Sequence, residues 1–406
     1  MFSDGYSLGI IGVALSLAKG PLGLTSWWIG AVGAASLIGL FFGCLVAGSI
    51  SDRFGRRPIF LWDMLLFTIL ALLQYHSASI LELFIWRLIL GICLGSDYVA
   101  SFALVSEYSP SQKRGRILSF LAIAWTAGYL LSFVVGYLIR NSGPDAWRIA
   151  LLSSGVPSLI TFFLRFGTPE SAVWLTRTGQ LDKARDIIAK RIGANIALPA
   201  TSEVNSVEPG PLSGLFKPPH LRNLIVGCVF DTTQAFPWFA LGTFLPIVLA
   251  KLNVGDGYTG ALIYNVLLLI GGIVGLQIVD AIPRRLFLVY GFVLMAAFLA
   301  TLIVWRTAPA AVTILLFSAF AFVMSAAGVL QSVYPPELFP TEVRARGIGI
   351  VIASSRVGSA SSTFLLPVVV ERFGVYLALG ACLVPCIVAA IVCGIWAPET
   401  RHKLLQ

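Results

Sequence analysis

Apolar runs long enough to cross a lipid bilayer take up almost the whole chain. They fall near residues 1–18, 28–50, 58–75, 80–105, 117–139, 146–166, 223–250, 257–279, 286–305, 309–334, 346–370 and 373–396. A helix needs about 20 residues to cross, so the pattern predicts an all-α membrane protein with twelve transmembrane helices. Of the 406 residues, 57% are hydrophobic and only 12% are charged, against about 25% charged in ordinary soluble proteins. This balance excludes a disordered chain, a secreted disulfide scaffold and nearly every soluble enzyme. The first run is the short one. Asp4 stands almost at its start, so the chain is expected to begin inside its first helix, which reads as truncated. With no basic segment before it, the run does not read as a cleavable signal peptide.

The formal net charge of +9 would suggest nucleic acid in a soluble protein. Here topology explains it, and no nucleic-acid partner is expected. Twelve spans place both termini on one side, where twenty Lys and Arg lie against six on the other. The positive-inside rule makes that side cytoplasmic. The six cysteines all lie in apolar runs without a Cys-x-x-Cys pair, and there are three histidines. The cysteines read as small buried hydrophobes, and no metal or cofactor is expected.

The loop 167–222 is the one soluble-looking piece. Residues 170–193 read as an amphipathic helix on the inner membrane face, and 194–216 as a flexible linker. Around this loop the chain repeats itself. Asp52-Arg53-Phe-Gly-Arg56-Arg57 matches Asp280-Ala-Ile-Pro-Arg284-Arg285. Glu107-x-x-Pro-x-x-x-Arg114 matches Glu337-x-x-Pro-x-x-x-Arg344. Pro169-Glu170-Ser171 matches Pro398-Glu399-Thr400, and Gly39-x-x-x-Gly43 matches Gly271-x-x-x-Gly275. The cytoplasmic matches keep offsets of 228 to 230 at equivalent loops. The chain therefore divides into a six-helix half over 1–166, the loop over 167–222 and a second six-helix half over 223–406. Two parallel repeats are a transporter architecture, with the site near the midplane between halves.

These strings carry a family resemblance. Gly48-x-x-x-Asp52-Arg-x-Gly-Arg-Arg57 resembles the signature loop of the major facilitator superfamily. Arg87-x-x-x-Gly91-x-x-x-Gly95, the Glu-x-x-Pro-x-x-x-Arg loops and Pro169-Glu170-Ser171-x-x-Trp174-Leu175 resemble its sugar-porter-like branch. Asp4-Gly-Tyr-x-Leu-Gly-Ile-Ile-Gly12, Gly95-x-Asp97-Tyr98 and Ser355-Arg356-x-Gly358 are similar to bacterial metabolite and organic-ion proton symporters within it. Gly95-Ser96-Asp97 departs from the branch, which has two glycines before the acid. The resemblance implies that helices 1, 4, 7 and 10 line the cavity. It implies a monomer in a bacterial or archaeal cytoplasmic membrane, with a small-molecule substrate and a proton as partners.

The motifs also have a physical logic of their own. Acidic residues beside helix ends, followed by paired arginines, form interhelical salt bridges. Asp52, Arg53, Arg56, Arg57, Glu107, Arg114, Glu170, Asp280, Arg284, Glu337, Arg344 and Glu399 are candidate gating residues, making contacts only when the inner gate is shut. A charge inside the bilayer is costly and functional by default. Asp4 and Asp97 suit proton coupling, with Arg87 as a basic partner for a carboxylate from another helix. Arg87 lies ten residues from Asp97, about 15 Å along the helix, too far to pair with it. Asp63, five residues past Pro58, reads as cytoplasmic-gate structure. Arg356 sits among small residues and suits a carboxylate or phosphate. Asp231, Gln234 and Trp238 share a helix face. With Asn265 and Gln331 they complete the substrate-binding candidates. Trp125 and Tyr129 read as core packing.

The function expected is secondary active transport of a small organic anion or polar metabolite, by proton symport and alternating access. A sugar or polyol carrier is the alternative, then a drug–proton antiporter or a non-transporting receptor. No phosphate-binding loop for ATP is present, and the three scattered histidines give no catalytic cluster, so an enzyme is not expected.

Overall fold

The computed structural model describes residues 1–109, 114–191, 215–218, 220–252, 254 and 257–401. Within them the side chains of Ser49, Asp52, Arg114, Gly115, Arg116, Arg177, Arg191, Thr341, Glu342 and Ala345 are not described. The expected linker falls almost wholly outside the described residues.

All regular structure among the described residues is helical. The helices are α1 (Phe2–Ala18), α2 (Ser26–Phe54), α3 (Arg56–Tyr75), α4 (Ile80–Tyr108), α5 (Arg114–Ile139), α6 (Ala146–Ser153), α7 (Gly155–Arg165), α8 (Ala172–Arg177) and α9 (Leu181–Arg191). They continue as α10 (His220–Thr243), α11 (Leu245–Lys251), α12 (Gly257–Ile278), α13 (Arg284–Val304), α14 (Ala310–Gly328), α15 (Leu330–Leu338), α16 (Thr341–Phe373) and α17 (Val375–Trp396). Among the described residues eleven segments are long and apolar enough to cross a membrane, and Phe2–Ala18 is a shorter apolar helix. Two of the expected spans are subdivided but cross as one: Ala146–Arg165 runs through Ser154 and Ala310–Leu338 through Val329 with helical backbone. The seventh divides into α10 and α11 at Phe244, whose φ of -107° and ψ of 22° leave the helical region. The amphipathic segment is also two helices, α8 and α9, parted at Gly179, whose φ of 78° turns the chain.

The helices before and after the loop pack by one scheme. α1 packs on α5, α2 on α4, and α3 on α4 and α7. After the loop α10 packs on α16, α12 on α14, and α13 on α14 and α17. The two sets meet along α2 with α16 and α5 with α12, contacts that exchange under the repeat. The repeated Gly-x-x-x-Gly pairs explain the tightest packing. A methyl group at Gly39 or Gly43 would overlap the carbonyl of Leu88 or Ile92 on α4. At Gly271 or Gly275 it would overlap that of Phe322 or Ala326 on α14. Small residues let backbones approach where lipid supplies no hydrophobic drive.

The seam between the sets is sealed at one end. There Ser16 Oγ and Tyr258 Oη are 2.5 Å apart, Trp27 packs edge-on against Phe364, and Gly12 and Gly30 lie against the Thr243 and Phe364 carbonyls. We expect Gly43→Leu to lower the thermal transition of the purified protein, at a cost of about 1–3 kcal/mol for forced overpacking. Gly48→Leu, where no atom lies within 4 Å of an added Cβ, serves as the control that should melt like wild type.

Candidate functional site

The end of the molecule away from the sealed seam carries one bonding arrangement built twice. Gly55, at φ 93°, joins α2 to α3 and exposes the first N–H groups of α3. The Glu170 carboxylate accepts from the backbone N–H of Arg56 at 2.9 Å and of Arg57 at 3.0 Å. Glu107 pairs with Arg56 and accepts from the Ser171 hydroxyl, while Tyr108 Oη donates to the Glu170 carbonyl at 2.5 Å. In the second copy Glu399 accepts from the N–H of Arg284 at 2.9 Å and of Arg285 at 3.1 Å. Glu337 lies 3.5 Å from Arg284 Nε and accepts from Thr400, and Tyr334 Oη donates to the Pro398 carbonyl at 2.9 Å. Asp280 completes this copy, 3.0 Å from Arg284. Each carboxylate thus caps a helix N-terminus, where the dipole favours negative charge.

These bonds are interhelical. Each copy lies within its own set of helices, so its bonds do not depend on the other set moving. Arg344 Nε donates to the Phe339 carbonyl at 3.1 Å, and the exposed Arg53 lies over the Phe54 ring. The Asp52 and Arg114 side chains lie outside the described ones.

The intramembrane charges separate into two groups. In the first, Arg165 of α7 grips Asp97 of α4 at two points, 2.5 Å and 3.2 Å. Both are buried, and stripping one partner from such a pair costs about 3–5 kcal/mol. Asp4 and Asp63 lie in the same electrostatic neighbourhood and are buried. Asp63 is thus in electrostatic range of Asp97, Arg165 and Asp4. Arg87 is buried too, but its Nη1 donates to the Ser7 carbonyl at 3.0 Å. That is a backbone partner where a carboxylate was expected. Sequence reasoning missed Arg165 by counting it only among the twenty basic residues of the cytoplasmic side. The signal was its place inside the run Phe162-Phe-Leu-Arg165-Phe166, before the loop's first polar residues.

The second group lies at the seam. Gln331 Nε2 donates to Asp231 at 2.6 Å, and Ser355 also bonds that carboxylate. Gln234 donates to the Met324 carbonyl and Asn265 to Ala261 of its own helix. Trp238 meets Trp125 across the seam, ring centroids 6.0 Å apart, and Trp125 stacks on Tyr129 at 5.4 Å. The expected shared face of α10 is thus spread over three different neighbours. Arg356 is half-buried over the Tyr98 ring at 5.7 Å, crossing from α16 to α4. It borders a cleft of about 320 Å³ between α2 and α16, with Leu37, Phe41 and Phe364. Several buried atoms here have no hydrogen-bond partner in the structure: Trp125 Nε1, Tyr129 Oη, Gln234 Oε1, Tyr264 Oη, Asn265 Oδ1 and Arg356 Nε. Among the described residues no cluster of His, Cys, Asp and Glu could hold a metal ion.

Two matched six-helix sets, joined at a polar seam and capped by duplicated charge networks, define a membrane transporter and not an enzyme. The chain belongs to the Sugar (and other) transporter family, whose model matches residues 3–406. It is 36% identical over 401 residues to the inner membrane metabolite transport protein YgcS of Escherichia coli strain K12, covering 98% of this chain and 89% of that protein. It is 26% identical to the arabinose-proton symporter of Bacillus subtilis strain 168, covering 99% and 90%. The fold is that of the xylose transporter XylE from E. coli in its inward-open conformation, at a TM-score of 0.83 and 24% identity, covering 100% and 95%.

The second copy of the charge network makes a pH-dependent prediction. Burial works against ionisation of Glu399. The backbone N–H groups of Arg401, Arg284, Arg285 and Thr400 outweigh it and hold its carboxyl below the usual carboxylate range. A carboxylate depressed in the native state adds stability above its unfolded value, lost as pH falls through the native one. Glu399→Gln should therefore lower the thermal transition at neutral pH by about 1 kcal/mol, the scale of a lost cap. The gap should close on acidification. A gap that stays constant across a pH series would mean the carboxylate acts by shape alone.

Proposed function

We propose that the protein carries a small organic acid or other polar metabolite into the cell together with a proton, by alternating access. The substrate sits at the seam, against the Arg356 guanidinium and the polar groups of α5, α10, α12 and α15. The observation that carries this reading is the set of buried polar atoms there without partners. An unmade buried hydrogen bond costs about 1–3 kcal/mol, so a ligand with matching donors and acceptors has much to gain. A planar guanidinium with Nε unused suits a carboxylate. The proton rides on the Asp4 and Asp97 site.

The excess of basic residues supports cytoplasmic termini in a bacterial inner membrane, with residues 1–166 and 223–406 as the rocking halves and the monomer as the working unit. With that orientation the sealed end faces outward, and this conformation is the inward-facing one. The duplicated charge networks then act as stiff inner rims on each half. A neutral sugar or polyol is the second reading. It is favoured because five of the six unpartnered atoms belong to uncharged groups, and because one relative is an arabinose-proton symporter.

Uptake into proteoliposomes under an imposed pH gradient tests both readings. The panel is benzoate, niacin, gluconate, L-arabinose and D-xylose. We expect the acids to accumulate and Arg356→Ala to reduce their uptake at least tenfold, the loss of a charged hydrogen bond worth roughly 1.5–3 kcal/mol. Accumulation of the sugars alone, undiminished in Arg356→Ala, would replace the first reading with the second.

A further inference from the structure

Four ionisable side chains from four helices are buried together inside the first set: Asp4 on α1, Asp63 on α3, Asp97 on α4 and Arg165 on α7. Their relative exposures are 0%, 6%, 0% and 8%. Three carboxyl groups thus face one guanidinium. The Met1 amino group, 3.0 Å from Asp4 and 3.7 Å from Asp97, adds at most one more positive charge. Fully ionised, the cluster is net negative with or without that amine. A buried uncompensated charge is among the most costly features a protein can hold. The cluster therefore holds at least one proton.

Geometry separates the roles of the acids. Arg165 Nη1 donates to Asp97 Oδ1 at 2.5 Å and to the Phe60 carbonyl at 2.6 Å, and Nη2 donates to Asp97 Oδ2 at 3.2 Å. Its guanidinium lies over the Phe60 ring at 3.7 Å, and Ser101 adds a third bond to Asp97 at 3.2 Å. Asp97 is fully engaged, and Arg165 is locked from three sides. By contrast, Asp4 has no guanidinium bonded to it: its partners are the Met1 amine, 3.0 Å from Oδ2, and the neighbouring Asp97 carboxyl, and Oδ2 of Asp63 accepts no hydrogen bond. Arg87 makes no ion pair with Asp4 among the described residues.

We infer that Arg165 is the positioning residue of the proton site: it fixes Asp97 as a standing counter-charge and leaves Asp4 as the acid that takes up and releases the transported proton. The inference rests on the proton-symport reading above. The step is proton transfer alone. An O–H bond forms on Asp4 as water on one side gives up a proton, and breaks as water on the other side takes it. The titratable groups in electrostatic range of Asp4 are Asp97 and Tyr98 on α4, Asp63 on α3, Arg165 on α7 and the Met1 amine. On the other helices packed on α1, Arg148 of α6 and Asp231 of α10 have partners of their own, Asp145 and Gln331.

The test needs no substrate. In the purified, reconstituted protein, infrared difference spectra across a pH series follow the carbonyl band of protonated carboxyl groups. We expect a titrating band in wild type that is absent in Asp4→Asn. Removing a neighbouring positive charge favours the protonated acid, so Arg165→Gln should move its midpoint to higher pH by about 1–3 units. Arg165→Lys, which keeps the charge, should stay near wild type. The double variant Asp97→Asn with Arg165→Gln removes both partners. It should titrate near wild type, and it carries the test if Arg165→Gln alone does not fold. An unchanged midpoint in Arg165→Gln, or a band that survives Asp4→Asn, overturns the inference. Failure of the symport reading shows elsewhere, as wild-type uptake indifferent to a pH gradient.

Discussion

Hydrocarbon offers no hydrogen bonds, and a polar group inside a bilayer must find its partner within the protein. Helices answer this for the backbone. Side chains need separate answers, and this chain gives three. Small residues remove the problem, as at Gly39 and Gly43, where backbone meets backbone. Ion pairs confine it, as at Asp97 and Arg165. At the seam the requirement is left partly unmet, and six buried polar atoms there lack partners. Those groups are the ones the proposed substrate would satisfy.

Duplication turns those local answers into a machine. Each set of helices carries its own carboxylate cap on a helix N-terminus, its own Arg–Glu pair and its own tyrosine clasp. None of these bonds crosses the seam. A half stiffened internally at one end can tilt as a body, because nothing in the network must break when the halves part. Among the described residues the seam is crossed by packing and hydrogen bonds: Trp125 on Trp238, Ser16 with Tyr258, Glu371 with Ser26, and Arg356 over Tyr98. Such contacts are weak enough for a ligand of ordinary affinity to shift their balance.

The proposed proton cluster and substrate seam lie in different places, one inside the first set and one between the sets. Coupling between them then passes through α1 and α4. α1 carries Asp4 and touches the Thr243 carbonyl at Gly12. α4 carries Asp97 and presents Tyr98 to Arg356. Both helices belong at once to the acid cluster and to the moving interface, which is a physical route by which protonation could bias the seam.

Much of this was legible in the chain itself. Span number, the duplicated loops and the buried acids follow from local pattern, because hydropathy and charge are properties of a stretch and not of its neighbours. The helix break at Phe244 was not legible, since an apolar run continues through it. Nor were the partners. Arg165 reads as one more basic residue at the cytoplasmic end of a span until α7 is laid beside α4, where Asp97 stands 68 residues earlier in the chain. Arg87 reads as a partner for an acid until Ser7 turns its carbonyl toward it. Gln234 reads as wholly open to a ligand until α14 offers its Met324 carbonyl to Nε2, leaving Oε1 without a partner. Sequence alone determined which groups must be satisfied, because burial cost depends on chemical type. Tertiary structure decided which groups satisfy them, because a hydrogen bond depends on position to within a fraction of an ångström, and only packing sets that.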